Sequence, residues 1–219
     1  MNSVRRADRR FLLARATALV LALCAAAGPA CALELPELMA LLQHHGSGQS
    51  RFTEQRFVKG LDQPLVASGT LAFVAPDCFE RRTVMPKAES VVVQGNQVTL
   101  SRGGRSRTVA LDAAPEAVIA VEAVRGTLTG NASVLKKWFD VKLAGDAAHW
   151  TLDLVPLDPA AAGSLRAVRI GGQHDELRLV ETTLVDGDRT VMTVEPETAL
   201  ANPAAGRDLA PGVAASAPR

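Results

Sequence analysis

Few side chains in this sequence of 219 residues have the types and spacing that catalysis or metal binding requires. His44 and His45 are adjacent, so on a helix they would point to different faces, and no third His, Cys or acidic cluster accompanies them. Asp186 and Asp188 suggest a calcium loop or a carboxylate pair, but the alternating segments on both sides favour turn residues. The sequence therefore predicts no metal site and no cofactor.

A nucleophile with a base beside it is also missing. Cys78 has no identifiable base near it, and we interpret it as a small residue next to the Pro76-Asp77 turn. The sequence contains no Gly-x-Ser-x-Gly nucleophile elbow and no His-Glu-x-x-His zinc helix. We therefore predict no catalytic residues and no enzymatic activity, and a hydrolase acting on lipids or acyl groups stays an open alternative.

Three arginines form a basic turn. Arg102, Arg105 and Arg107 surround Gly103-Gly104, and such a turn can hold an anion through backbone N–H groups and side chains. The spacing lacks the Gly-Lys-Ser or Gly-Lys-Thr of a P-loop, so an exposed hairpin tip is favoured. Whether these arginines contact anionic headgroups or a membrane surface stays open.

Residues 1–32 have the composition of a secretory signal peptide. Arginines precede and interrupt an apolar segment rich in Leu and Ala, and Ala30-Cys31-Ala32 is a small-x-small cleavage site. Cleavage after Ala32 removes five arginines and one aspartate, which changes the formal net charge from +1 to −3. We predict export to the periplasm, with lipidation of Cys31 left open. A slightly acidic chain gives no broad electrostatic reason to bind nucleic acid.

Residues 33–196 are predicted to form one domain of short strands and a few helices, followed by a disordered tail rich in Ala, Pro and Gly over 197–219. Turn signals such as Gly95-Asn96 and Asp186-Gly187 separate the strands. Alternating side chains predict strands over 50–59, 68–75, 79–85, 91–93, 98–100, 108–111, 141–144, 150–155, 165–170, 177–184 and 189–194.

Apolar residues at three- and four-residue steps predict helices over 33–45, 115–128 and 134–138, the last capped by Asn131 or Ser133. The helix over 115–128 interrupts the strands in mid-chain. We therefore predict that its apolar side covers an open face of a curved sheet as a lid. The predicted lid residues are Val118, Val121, Val124 and Leu128.

Several short motifs in a fixed order resemble the LolA-like family of periplasmic outer-membrane lipoprotein carriers. Residues 51–55 resemble the Phe-x-Gln segment of the family's first strand, and residues 68–73 before Pro76-Asp77 resemble its Gly-x-Leu-x-aromatic strand. Residues 90–98 resemble the next strand pair, and residues 150–156 the later strand that ends in Leu-x-Pro. The resemblance implies a mainly β fold with helices: an open, strongly curved antiparallel half-barrel covered by lid helices.

The same resemblance implies a carrier function, in which no covalent bond is made or broken. Such a carrier holds the acyl chains of a lipoprotein in an apolar interior, collects this cargo from an inner-membrane transporter, and passes it to an outer-membrane acceptor. We expect a monomer. The family's arginine before the strand-ending proline is Ala75 here, and its following tryptophan is Arg81, so the lid latch and partner contacts do not transfer. These differences resemble a divergent branch of the family, and for that branch the cargo can be another acylated molecule.

Apolar side chains on the strands are the predicted lipid-binding residues. Each of these side chains can instead be part of a packed core, because the sequence does not distinguish a filled interior from a cavity. A structural or assembly module of an envelope export pathway, which binds a partner protein through its sheet edges, is the other alternative. The predicted cavity residues are Phe52, Leu71, Phe73, Phe79, Val93, Val98, Leu100, Trp150 and Leu152.

Overall fold

The computed structural model describes residues 33–43, 47–113 and 115–195, with only the backbone described at residues 115 and 116. The predicted signal peptide over 1–32, the adjacent pair His44-His45 and the predicted tail over 197–219 lie outside the described residues. In the part of the chain that is described, eleven strands, four α-helices and one short 3-10 helix follow one another.

All the strands belong to one antiparallel sheet. They run from β1 to β11: Gly48–Phe57, Leu65–Val74, Cys78–Met85, Glu89–Gln94, Gln97–Arg102, Arg105–Ala110, Phe139–Gly145, Trp150–Pro156, Leu165–Gln173, Glu176–Leu184 and Arg189–Val194. Their order is β6-β5-β4-β3-β2-β1-β11-β10-β9-β8-β7. The first and last strands pair, with Phe52 opposite Val194, and thereby join two runs of hairpins. Because β6 and β7 are separate edges, the sheet is open, which confirms the predicted fold class.

The helices are α1 Leu35–Leu42, α2 Pro115–Leu128, α3 Ala132–Trp138 and α4 Pro159–Ala162, with the 3-10 helix Leu111–Ala113 before α2. The bounds of α2 agree with the prediction. The side chain of Asn131, one of the two predicted caps, caps α3 by accepting hydrogen bonds from the N–H groups of Ser133 and Val134. Helix α4, which Asp158 caps, was not predicted from the sequence. None of the described helices has the length and apolar character that crossing a bilayer requires.

One face of the sheet carries the helices. Residues paired in register share a face, and Phe73 pairs with Phe79, Phe79 with Val93, and Leu152 with Ile170. Followed strand by strand across β1 and β11, these registers place both groups of residues on the same face. The predicted cavity residues therefore share one face of the sheet, although their strands range from β5 to β8 in the sheet order.

The packed core lies where the helices cover β7 to β10. Burying a large aliphatic side chain contributes about 1.5–3 kcal/mol, so this cluster is the main source of stability in the described chain. The core includes Leu38, Leu42, Ile119, Ala123, Leu135, Trp150, Leu152, Leu154, Val168 and Ile170.

Two glycines allow the close approaches that fix this core. A β-carbon at Gly172 would lie 2.2 Å from Cζ2 of Trp150, so only glycine leaves room for the indole. The indole Nε1 donates a hydrogen bond to the carbonyl of His174 at 2.8 Å. A β-carbon at Gly126 would lie 2.7 Å from Cδ2 of Leu135, and the missing side chain lets α2 and α3 pack closely. The first contact fixes the packing of β8 against β9, and the second fixes the packing of α2 against α3.

Candidate functional site

An apolar cavity of about 320 Å³ lies between α2 and the sheet. Its volume is near the lower end of the roughly 300–1,000 Å³ that is typical of small-molecule sites. Aliphatic and aromatic side chains form most of its surface, which suits hydrocarbon and disfavours water. The apolar lining consists of Leu71, Ala72, Phe73, Phe79, Val91, Val93, Ala120, Val121, Val124, Leu128, Leu177, Val180, Met192 and Val194.

Helix α2 contributes side chains both to this cavity and to the packed core. Ile119 and Ala123 belong to the core and are 1% and 0% exposed. Val121 and Val124, on another side of the same helix, line the cavity. A helix that is apolar on two sides can cover a sheet and leave a cavity beside the region that it fills.

Some of the predicted site residues line the cavity, and the others do not. On the sheet, Leu71, Phe73, Phe79 and Val93 line the cavity, and on α2 so do Val121, Val124 and Leu128. The remaining ones lie elsewhere: Trp150 and Leu152 in the core, Phe52 buried in β1, Val98 and Leu100 on β5, and Val118 on α2 outside the lining.

Residues of β10 and β11 complete the cavity wall, and none of them is among the predicted site residues. Val180 pairs with Met192 in register, and both line the cavity. Alternation within the predicted strands over 177–184 and 189–194 was the available signal. Alternation alone does not identify these residues as cavity residues, because they lie near Leu71 only through the pairing of β11 with β1.

Arg81 forms a polar border at one side of the cavity. Its Nη2 donates a hydrogen bond to Oε1 of Glu54 at 3.0 Å, and its Nη1 donates to Oγ1 of Thr83 at 3.0 Å. A carboxylate oxygen of Glu89 lies 3.6 Å from Nη1. The guanidinium also stacks on Phe52, with 4.8 Å between Cζ and the ring centroid. Its charge is thus balanced by carboxylates beside an apolar wall.

Arg125 ties the C-terminal end of α2 to the β4–β5 hairpin. Its Nη2 donates a hydrogen bond to the carbonyl of Gly95 at 3.0 Å, and its Nη1 pairs with the carboxylate of Glu122 at 2.5 Å. The guanidinium carbon lies 6.0 Å from the ring centroid of Phe79, a residue of the cavity wall. In the family that the sequence resembles, an arginine before the strand-ending proline latches the lid, and here that position holds Ala75. The contact between Arg125 and Gly95 differs from such a latch because its arginine belongs to the helix.

Two kinds of reactive group bear on catalysis, a cysteine nucleophile and a metal site. Burial raises the pKa of the Cys78 thiol, and the negative charges of Asp77 and Glu80 raise this pKa further, so the thiolate is scarce at neutral pH. Among the described residues, no group of three His, Cys, Asp or Glu side chains is placed to hold a metal ion.

A family model described as outer membrane lipoprotein carrier protein LolA-like matches residues 26–212. No curated protein matches the chain. A LolA superfamily protein from Nitrosomonas europaea is 8% identical, covering 74% of this chain and 90% of that one, with a TM-score of 0.40. A putative outer membrane lipoprotein-sorting protein domain from Vibrio parahaemolyticus is 11% identical, covering 75% and 90%, with a TM-score of 0.38. The MucA/MucB complex of Pseudomonas aeruginosa gives 14% identity, 81% and 60% coverage, and a TM-score of 0.41.

Proposed function

The chain belongs to the family of LolA-like outer membrane lipoprotein carrier proteins, and we propose that it carries an acyl chain of a lipoprotein or a related lipid through the periplasm. The apolar cavity under α2 shields this chain from water while the cargo moves between the inner and outer membranes. No covalent bond is made or broken. The protein acts as a monomer, with an inner-membrane transporter and an outer-membrane acceptor as its partners.

The observation that carries this proposal is the cavity itself. Each methylene group that leaves water contributes about 0.8 kcal/mol, so a lipid tail gains affinity from an apolar wall such as the one formed by Leu71, Phe73 and Val124. A module that only assembles with other proteins has no use for such a volume and would be expected to fill it. The cavity therefore favours a carrier.

The β6 edge of the sheet gives little support to an assembly module. Strand β6 is one edge, and it presents the exposed side chains of Arg105 and Arg107. Charged side chains on an edge strand disfavour the addition of another strand. A partner that binds by strand addition is thus discouraged at this edge.

The test is the uptake of a fluorescent fatty acid by delipidated protein. Titration at fixed protein concentration is expected to show saturable binding of about one ligand per chain, because one cavity of this size suits one chain. A non-fluorescent fatty acid should displace the probe. Fluorescence that rises linearly with probe concentration, without displacement, would contradict the proposal.

A further inference from the structure

A second pocket, of about 480 Å³, adjoins the apolar cavity and has a different chemical character. Four basic side chains contribute to its wall, from Arg56, Arg81, Lys87 and Arg102. We call this site the polar pocket. Arg81 also lines the apolar cavity, so one side chain separates the two sites.

The strand registers explain why the two sites are neighbours. Val91 lines the apolar cavity, and Glu89, two residues away on β4, lines the polar pocket. Side chains two residues apart on a strand share a face and lie about 6.6–6.8 Å from each other. Glu89 pairs with Arg102 on one side and with Thr83 on the other, which continues the polar row across β5 and β3. The polar pocket therefore continues the helix-bearing face beyond the cavity.

The charges in the polar pocket are not all balanced. Arg81 is paired with Glu54 and Glu89. Arg56 lies 3.7 Å from a carboxylate oxygen of Asp188. Within the described chain, Lys87 and Arg102 make no ion pair.

We propose that the polar pocket binds the anionic group of the same amphipathic ligand whose acyl chain occupies the apolar cavity. This inference rests on the proposed function and narrows the cargo to acyl lipids that carry a phosphate or a carboxylate. Lys87 and Arg102 supply charge-assisted hydrogen bonds to the anion. The hydroxyl groups of Thr182 and Thr190 line the same pocket and add neutral donors. Two adjoining sites of opposite polarity match the two ends of such a molecule.

Two ligands with identical chains separate the contribution of the anion from that of the chain. In the proposed experiment, 1-palmitoylglycerol 3-phosphate and the uncharged 1-palmitoylglycerol compete with the fluorescent fatty acid for binding. At low ionic strength the phosphate ligand is expected to bind about tenfold more tightly, since its contacts are charged but partly open to solvent. Salt should reduce this preference, because exposed charges are screened.

A matched pair of double variants locates the effect. Lys87→Gln with Arg102→Gln removes the two unbalanced charges of the polar pocket, and the ratio of the two affinities is expected to fall to about one. Arg105→Gln with Arg107→Gln removes the same amount of charge from β6 outside the pocket. This control variant should keep the preference for the phosphate ligand. An equal loss in both double variants would mean that no local anion site exists.

The remaining outcomes separate this inference from the proposed function. Equal affinity of the wild-type protein for the two palmitoyl ligands overturns the polar pocket as an anion site and leaves the carrier function standing. No saturable binding of either ligand contradicts the carrier function and the inference together. Glycerol 3-phosphate has no acyl chain, and if it competes as well as the phosphate lipid, the pocket is a free phosphate site and the shared ligand is wrong.

Discussion

The guanidinium of Arg81 lies on the ring of Phe52, with 4.8 Å between Cζ and the ring centroid. Phe52 is only 1% exposed, so the arginine covers an aromatic side chain at the border of an apolar cavity. The same guanidinium holds Glu54 and Thr83 through hydrogen bonds. Arg81 lines both the apolar cavity and the polar pocket, so it lies at the border between them.

Replacing Arg81 is expected to destabilise the protein. Arg81→Met removes two hydrogen bonds and leaves the partly buried carboxylate of Glu54 without its partner, which should lower the free energy of unfolding by about 1–2 kcal/mol. Urea denaturation measures the change. Arg51→Met, at an exposed position on the opposite face of β1, is the control and should have little effect. Equal stability of the two variants would contradict the structural role of Arg81.

Narrowing the apolar cavity is expected to weaken ligand binding. Val121→Phe places a larger side chain where the acyl chain is proposed to lie, and affinity for the fluorescent fatty acid should fall by about tenfold or more. Val118→Phe adds the same volume to the same helix outside the lining and should change affinity little. If both variants bind like the wild type, the ligand does not occupy this cavity.

Releasing the end of α2 is expected to speed ligand exchange. Arg125→Met removes the hydrogen bond to Gly95 and leaves the largely buried carboxylate of Glu122 without its partner, at a cost of about 1–3 kcal/mol. Amide hydrogen exchange in the second half of α2 should become faster, and so should stopped-flow uptake of the probe. Arg125→Lys keeps the charge but not both contacts, and should give intermediate rates. Unaltered exchange and uptake in Arg125→Met would show that this contact does not hold the helix.

The close approach at Gly172 predicts a sharp sensitivity to one methyl group. Gly172→Ala would drive a β-carbon into the Trp150 indole, and overpacking of this kind costs about 1–3 kcal/mol or more. Thermal denaturation followed by tryptophan fluorescence measures it. Gly163→Ala is the control, since its φ is −68° and the nearest atom to a new β-carbon is 3.4 Å away. A Gly172→Ala protein as stable as this control would contradict the packing described here.

The Cys78 thiol is expected to react slowly at neutral pH. Burial is the largest cause of its raised pKa, and the charges of Asp77 and Glu80 add to it. The rate of iodoacetamide alkylation should therefore rise with pH at higher values than for an unhindered cysteine. Asp77→Asn removes one smaller cause and should shift the profile part of the way back. A profile at or below that of free cysteine would contradict this environment.

The raised pKa of Cys78 also predicts how the stability of the fold changes with pH. Because the folded state binds the Cys78 proton more tightly than the unfolded state, the thiol's contribution is complete below the unfolded-state pKa. It is lost as pH rises through the higher folded-state pKa. Replacing Cys78 by Ala should therefore reduce the loss of stability with rising pH in the alkaline range, as measured by urea denaturation at several pH values.

Local signals in the sequence determined most of the secondary structure. Alternation and turn residues predicted the strands, and two candidate caps, Asn131 and Ser133, marked the start of α3, which Asn131 caps. The predicted bounds of α2 and β11 agree with the structure. These signals depend on neighbours a few residues away, so they can be read without the fold. The motifs carried the family resemblance, which the match over residues 26–212 confirms.

Only the tertiary structure decided which apolar residues form a core and which line a cavity. Phe73 and Leu152 have the same character, alternate in the same way and share one face of the sheet. Their surroundings differ because α2 packs one side against Leu152's region and leaves its other side above Phe73. That placement depends on the pairing of β1 with β11 and on the close approach at Gly126, both of which join residues that are distant in sequence or in different elements. No local pattern encodes such a contact, since its energy arises only when the elements meet.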